Sequence, residues 1–310
     1  MNTYEPVESG PVTARVIETQ PMSIVIPAHN EESVIGRCLR SMLDKAQPGE
    51  LEIIVACNGC SDRTAEIAAS FGDCVKVVET RVASKIAALN LGDQAATGFP
   101  RFYIDADVVV SVESLRRTAE LLRSDAFLAA SPAIRFDLSR SDWLVRSFYA
   151  VWQLQPYFDS GRLGAGLYAV SRVGHARLGA FPPLTADDEY VRRLFTQAER
   201  TTARDATFTV TPPRNLNDLI RIKTRSRRGT SELERTFPAM RQPPAGGRWR
   251  LLARVGMRPW LWGAALVYAY VVGMTWWRSR TALSQGRTIE WERDLSSRVL
   301  LRHEQERPAT

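Results

Sequence analysis

Met22-Ser23-Ile24-Val25-Ile26-Pro27-Ala28-His29-Asn30-Glu31-Glu32 is the stretch on which the reading of this chain turns. A short apolar run rich in β-branched residues ends at Pro27, and over residues 31–45 Val34, Ile35, Leu39, Met42 and Leu43 then recur at helical spacing. This predicts strand, polar loop and helix. The unit repeats. A strand is expected at 51–56, with a helix opening after Ser61 as N-cap and carrying Ala65, Ile67, Ala68 and Phe71. A third strand (75–78), a third helix (84–97) and a fourth strand (101–104) follow. Such alternation predicts an α/β fold, a mostly parallel sheet with helices on both faces and ligands beyond the carboxyl ends of its strands. Three polar clusters fall at such ends, at 28–32, 58–62 and 105–107.

The later pattern is mixed. Strands are expected near 127–130, 167–170 and 207–210, and helices near 143–155, 187–197 and from about Asn215, with a glycine-rich turn at 161–166. The run Met-Arg-Gln-Pro-Pro-Ala-Gly-Gly at 240–247 reads as a linker. The expected organisation is a flexible segment at 1–20 without the apolar run of a signal peptide, an α/β domain at 21–239, the linker, and a basic and apolar region at 248–310.

Apolar residues make up 45% of the 310 and charged residues 24%, ordinary globular values that exclude a disordered chain and a multispanning membrane protein. The net charge is +7, yet residues 214–258 hold twelve Arg or Lys against Asp218, Glu232 and Glu234. That basic block runs into 259–277, nineteen residues without a charge that would extend about 28 Å as a helix, with Trp260, Trp262, Trp276 and Trp277 at its ends. An anionic membrane surface rather than a nucleic acid is therefore the expected partner, reached by one C-terminal helix that spans or lies in the interface, on the cytoplasmic face, with a wholly soluble packed helix as the alternative. Four cysteines make no disulfide framework, and the Cys57-x-x-Cys60 pair lacks the second pair that a structural zinc site needs.

Asp105-x-Asp107 closes an apolar strand, and two carboxylates so placed can bind a hard divalent cation that bridges phosphates. An acidic loop without a ligand is the plain alternative. Phosphatases of the haloacid dehalogenase type share the Asp-x-Asp, but their Gly-Thr continuation is replaced here by Val108 and Val109.

Taken in order, Ile26 to Glu32, then Asn58-Gly59-Cys60-Ser61-Asp62, then Asp105-Ala106-Asp107, the motifs resemble glycosyltransferase family 2 over roughly residues 22–228. The resemblance implies a GT-A fold, a nucleotide-sugar donor and Mn²⁺ or Mg²⁺ as cofactor. It implies that Pro27, Ala28, Asn30 and Glu31 hold the nucleoside, that Asp105 and Asp107 meet ribose and metal with Asp107 the direct ligand, and that Asn58 contacts the base. The second motif departs from the family form, since Cys57 and Asn58 stand where paired aspartates are usual. Lys85, in Ser84-Lys85-Ile86-Ala87-Ala88-Leu89-Asn90, matches a family lysine expected to face the phosphates or pair with an acid, with a solvated helix start as the alternative.

The run Thr185-Ala186-Asp187-Asp188-Glu189 stands where the family carries its catalytic base. Asp188 is the expected base and Asp187 the second choice, while an acidic helix start that only complements the helix dipole is the alternative. A Gln/Arg-x-x-Arg-Trp element that the family often has after this point is missing. Arg225 and Arg228 occupy a comparable place, suited to a diphosphate leaving group or to a membrane surface. The expected function is an inverting transfer of sugar to the hydroxyl of a sugar or lipid-linked acceptor. A nucleotidyltransferase and a non-catalytic, membrane-tethered nucleotide-sugar binder are the competing readings.

Overall fold

The computed structural model of the chain describes residues 20–124, 126–158, 163–242 and 247–284. The segment 1–20 (apart from Gln20), the heart of the expected linker and the end of the chain thus lie outside the described residues. In chain order the elements are β1 (Met22–Ala28), α1 (Ile35–Leu43), β2 (Leu51–Asn58), α2 (Thr64–Ala69), β3 (Val75–Thr80), α3 (Lys85–Ala95), β4 (Arg101–Ile104), β5 (Val109–Val110), α4 (Val112–Arg123), β6 (Ala129–Phe136), α5 (Trp143–Trp152), β7 (Leu167–Val170), α6 (Arg172–Leu178), α7 (Asp187–Leu194), β8 (Arg200–Val210), α8 (Leu216–Thr236), α9 (Gly247–Gly256) and α10 (Trp262–Ser284).

One eight-stranded sheet runs β3-β2-β1-β4-β7-β6-β8-β5. The first four strands are parallel, with Met22 opposite Leu51 and Ser23 opposite Arg101. β7 enters antiparallel between β4 and β6, β8 returns parallel to β6, and β5 closes the edge antiparallel to β8. The mostly parallel α/β sheet is as expected, with β7 and β5 as its reversed strands.

Strand alternation divides the core in two. Met22, Ile24 and Ile26 pack on one face with Leu39 and Met42 of α1 and Leu115, Ala119 and Leu122 of α4. Val25 points to the other face, with Ile54, Leu89, Tyr103, Val170, Val191 and Leu233. A strand covered on both faces loses the apolar–polar alternation, which is why Ile24, Val25 and Ile26 of β1 follow one another without a break.

Local chemistry fixes the helix starts. Ser84 Oγ accepts from the amide of Ala87, Asp142 Oδ1 from Val145 at 2.8 Å and Asn215 Oδ1 from Asp218 at 3.0 Å. At α2 the expectation needs correction. The helix begins at Thr64, whose amide donates to Asp62 Oδ1 at 3.0 Å, whereas Ser61 gives its own amide to Asn30. The strands β5 and helices α4 and α6 go beyond the sequence reading, although the stripe Val112, Leu115, Ala119 and Leu122 has helical spacing.

A third apolar cluster joins α5, α8 and α10. Val271 of α10 is buried against Val145, Phe148, Tyr149, Leu219 and Ile220, and the ring of Tyr268 stacks on Phe148 with centroids 5.4 Å apart. Among the described residues no helix is long and apolar enough to cross a membrane.

Candidate active site

The loop after β1 is held by the loop after β2. Asn58 is fully buried at the end of β2 and donates from Nδ2 to the carbonyl of Ala28 at 2.8 Å. Cys60 donates its thiol to the same carbonyl and accepts from the amide of Asn30. Asn30 adopts a positive φ of 51°, which an asparagine tolerates, and its Oδ1 accepts from the amide of Ser61 at 2.7 Å. Glu31 is buried and donates its amide to Thr64 Oγ1 at 2.7 Å. His29 Nδ1 contacts the carbonyl of Asn58. Asn58 thus braces Pro27 to Glu31 from inside the fold.

The four cysteines are free thiols. A hydrogen bond from Cys57 is the main cause that lowers the Cys60 thiol to about 6, while Cys57 is raised by the same bond and by burial. Among the described residues no three His, Cys, Asp or Glu side chains converge as a metal cage.

At the end of β4, Asp105 and Asp107 are half-exposed, and Asp105 donates its amide to the carbonyl of Gly166 at 2.8 Å. Lys85, first residue of α3, places Nζ 2.9 Å from Asp105 Oδ1 and 3.0 Å from Asp187 Oδ1. Burial alone would lower the pKa of this ammonium, but Asp105 and Asp187 outweigh it and hold it well above its ordinary value. Asp187 is buried, with its Oδ2 accepting from Tyr168 Oη at 3.3 Å. Its pKa is raised first by burial and further by Asp188 and Asp105, against the pull of Lys85.

Asp188 differs from its neighbour. It is half-exposed at the first turn of α7, accepts from the amides of Glu189 at 2.8 Å and Ala165 at 3.3 Å, and carries no partner cation in these contacts. Residues 164–166 run between the two acidic motifs with φ of 95°, 67° and 100°. A Cβ at Gly164 would fall 2.9 Å from Asp188 Cβ, and one at Gly166 would fall 3.4 Å from Asp105 Oδ2. The sequence reading treats this run only as a turn, and its signal is the Gly-Ala-Gly that precedes β7. A cavity of about 120 Å³ opens beside Gly164, lined also by Ser131, Ile134, Phe158 and Phe208.

Helix α8 passes directly behind the acidic turn. A Cβ at Gly229 would meet Ala186 Cβ at 3.1 Å, and Glu232 accepts from the amide of Thr185 at 3.0 Å. Arg225 and Arg228 lie three or four residues from these contact points and so share that side of the helix. The structure brings Lys85, Asp105, Asp187 and Asp188 together around residues 164–166 and sets the two arginines on the adjoining helix.

Comparison with known proteins accords with this arrangement. Over 98 residues the chain is 39% identical to a probable glycosyltransferase, YdaM, of Bacillus subtilis, covering 29% of this chain and 23% of that protein. Over 172 residues it is 27% identical to 4,4'-diaponeurosporenoate glycosyltransferase of Staphylococcus aureus, covering 53% of this chain and 43% of the relative. The matches thus span less than half the length of these curated relatives. In fold it resembles a Pyrobaculum calidifontis mannosyltransferase solved with GDP-Man and Mn²⁺, at a TM-score of 0.56 and 18% identity over 87% of this chain and 80% of that one. It also resembles glucosyl-3-phosphoglycerate synthase of Mycobacterium tuberculosis, solved with Mn²⁺, UDP and phosphoglyceric acid, at 0.51 and 20% identity over 73% and 81%. The sheet is thus of GT-A type. The family description Glycosyl transferase family 2 matches residues 23–185, and the chain belongs to that family.

Proposed function

We propose that the chain moves a sugar from a nucleoside-diphosphate sugar to an acceptor hydroxyl with inversion at the anomeric carbon. The observation that carries this reading is the Lys85 bridge, which joins the acidic end of β4 to the acidic start of α7 in one cleft. Donor and acceptor chemistry need these two motifs within one substrate's reach.

The half-exposed Asp188 is the base. It takes the acceptor proton, the acceptor oxygen bonds to the anomeric carbon from the face opposite the phosphate, and the bond to the diphosphate oxygen breaks. Asp187 is a positioning residue, fixed by Lys85 and Tyr168 so that the first turn of α7 presents Asp188 to residues 164–166. Two adjacent carboxylates with hard oxygens suit Mn²⁺ or Mg²⁺, whose remaining ligands would be water and phosphate oxygens, with Asp107 and Asp105 the protein's share. Such a cation supplies Lewis-acid stabilisation of the departing diphosphate. Arg225 and Arg228 add guanidinium charge from α8. Pro27, Ala28, Asn30 and Glu31 form the nucleoside wall, with Asn58 acting through Ala28.

Thermal-shift measurement with a panel of nucleotide sugars and Mn²⁺ selects a donor, after which the released product is identified. Nucleoside diphosphate release, dependent on acceptor, supports the reading. Pyrophosphate release would mark a nucleotidyltransferase, and binding with no turnover for any acceptor would mark a non-catalytic binder.

A further inference from the structure

From Trp262 to Trp277 helix α10 carries no charged residue, yet the protein covers only one side of it. Val271, Thr275 and Ser279 are buried, and Tyr268 packs on α5. The opposite side carries Trp262, Leu266 and Tyr270 at four-residue spacing, followed by Trp276 and Trp277, and is exposed, Leu266 by 75% and Trp277 by 55%. Trp249, Leu252 and Met257 of α9 and the turn after it, with Trp260, extend this apolar exposure. An apolar patch of this extent marks a surface that is covered by something.

The charges nearby choose the partner. From Arg235 to Ile289 the chain contains Arg235, Arg241, Arg248, Arg250, Arg254, Arg258, Arg278, Arg280 and Arg287 and no acidic residue. Arg280 lies over the ring of Trp276, 4.4 Å from its centroid, so basic and aromatic groups share one end of the stripe. The tryptophans stand at the two ends of the uncharged stretch 262–277, with aliphatic residues and Tyr270 between, as in segments whose indole N–H groups sit at headgroup level. A second copy of this chain would bring like charge against like charge. An acidic protein would satisfy the arginines but would leave several large rings without an apolar phase.

We infer that the outward face of α9 and α10 docks on an anionic lipid bilayer, with α10 lying along the surface while its inner face stays packed on α5 and α8. This does not rest on the proposed reaction, although it brings the two together. Tyr268 of α10 contacts Gln155, which immediately precedes the turn holding Phe158, and Phe158 lines the cavity beside Gly164 and Asp188. The docking helix thus adjoins the segment that lines this cavity, and an acceptor borne in the bilayer suits that arrangement.

The test is co-flotation of the full chain with vesicles of pure phosphatidylcholine and with vesicles containing about a quarter phosphatidylglycerol, at low and high salt. Binding is expected to the anionic vesicles, to weaken with salt, and to fall by about tenfold or more in Trp276→Ala/Trp277→Ala and in Arg278→Glu/Arg280→Glu. Both variants alter exposed side chains, and circular dichroism checks that they fold. In the unaltered chain, tryptophan emission should be quenched by brominated acyl chains. No binding to anionic vesicles overturns the inference, as does binding unchanged in both variants. A chain that sediments as a dimer and becomes monomeric on Trp276→Ala/Trp277→Ala would assign the face to a second copy instead.

Discussion

Lys85 Nζ sits 3.0 Å from Asp187 Oδ1, so the cation is paired with the buried carboxylate of the acidic turn and not with its half-exposed neighbour Asp188. One cation so answers for the acidic motif after β4 and for the one that opens α7. Remove it, and Asp105, Asp187 and Asp188 face one another with less to offset their repulsion.

Lys85→Met is expected to raise the Asp187 pKa further, since the cation that opposes burial is lost. A carboxyl whose folded pKa is raised contributes stability below its unfolded pKa and loses it as pH rises through the folded value. The variant's deficit in thermal midpoint should therefore be larger at pH 8 than at pH 5. A deficit independent of pH would show that the lysine is not electrostatically coupled to the pair.

Asp188→Asn should lower transfer by about 10²-fold or more while leaving donor binding near its original value, the signature of lost proton transfer. Asp187→Asn should cost less in rate but destabilise by about 1–3 kcal/mol, because it disrupts a buried charged contact. Rate constants and urea midpoints of the two proteins decide. A larger rate loss at Asp187 would move the base by one residue.

Asp107→Ala should abolish the extra thermal stabilisation that Mn²⁺ gives in the presence of a nucleoside diphosphate, and transfer with it. Asp105→Ala should be nearly as damaging and also release Lys85. Turnover by the Asp107 variant at its original rate in excess chelator would exclude a metal role for this pair.

At Gly164 a side chain meets two obstacles, a φ of 95° and Asp188 Cβ at 2.9 Å. Gly164→Ala should destabilise by about 1–3 kcal/mol and slow transfer by about tenfold or more through displacement of Asp188. Gly256, whose Cβ would meet nothing within 4 Å, is the control, and Gly256→Ala should be close to neutral. Equal effects at the two positions would remove the positional argument.

Away from the cleft, Asp93 carries an acid-sensitive part of the stability. Burial tends to raise its pKa, but hydrogen bonds from His175, Tyr103 and Arg101 outweigh this and lower it to about 2. A depressed carboxyl stabilises above its unfolded pKa and loses that contribution as pH falls through the folded one, so the loss runs between about pH 4 and 2. The scale is on the order of 2 kcal/mol. Urea unfolding at pH 5 and pH 3 should show a smaller acid loss for Asp93→Asn than for the unaltered chain.

The β-strands at 101–104 and 167–170 are legible to the residue, because each is a short run of aromatic and branched residues set between polar turns, although β4 opens on the buried Arg101. Residues whose chemistry is local were legible too, as at Ser84 and Asn215. What the chain order hides is contact between distant segments. Asn58 reads as a group facing a ligand, and only the pairing of β1 with β2 shows that its amide is spent on Ala28. The glycines at 164 and 166 read as a turn, since nothing in their spacing tells that carboxylates press on them from two sides. In the same way 259–277 reads as a uniform apolar segment, and the split into a covered and an uncovered side comes from α5 and α8.

The reversed strand β7 has a bearing on how the protein is made. Synthesis from the N-terminus completes the loop at 28–32 and both carboxylates after β4 before Leu167 exists, so the early sheet ends at β4 with an open edge. That edge waits for a partner many residues downstream, and pairing over such a separation is slow compared with the local βα units already formed. A nascent chain thus spends time with β1 to β4 built and α7 not yet made, showing a strand edge open to mispairing with another chain. Chaperone demand should concentrate in that interval and end when β7 closes the gap.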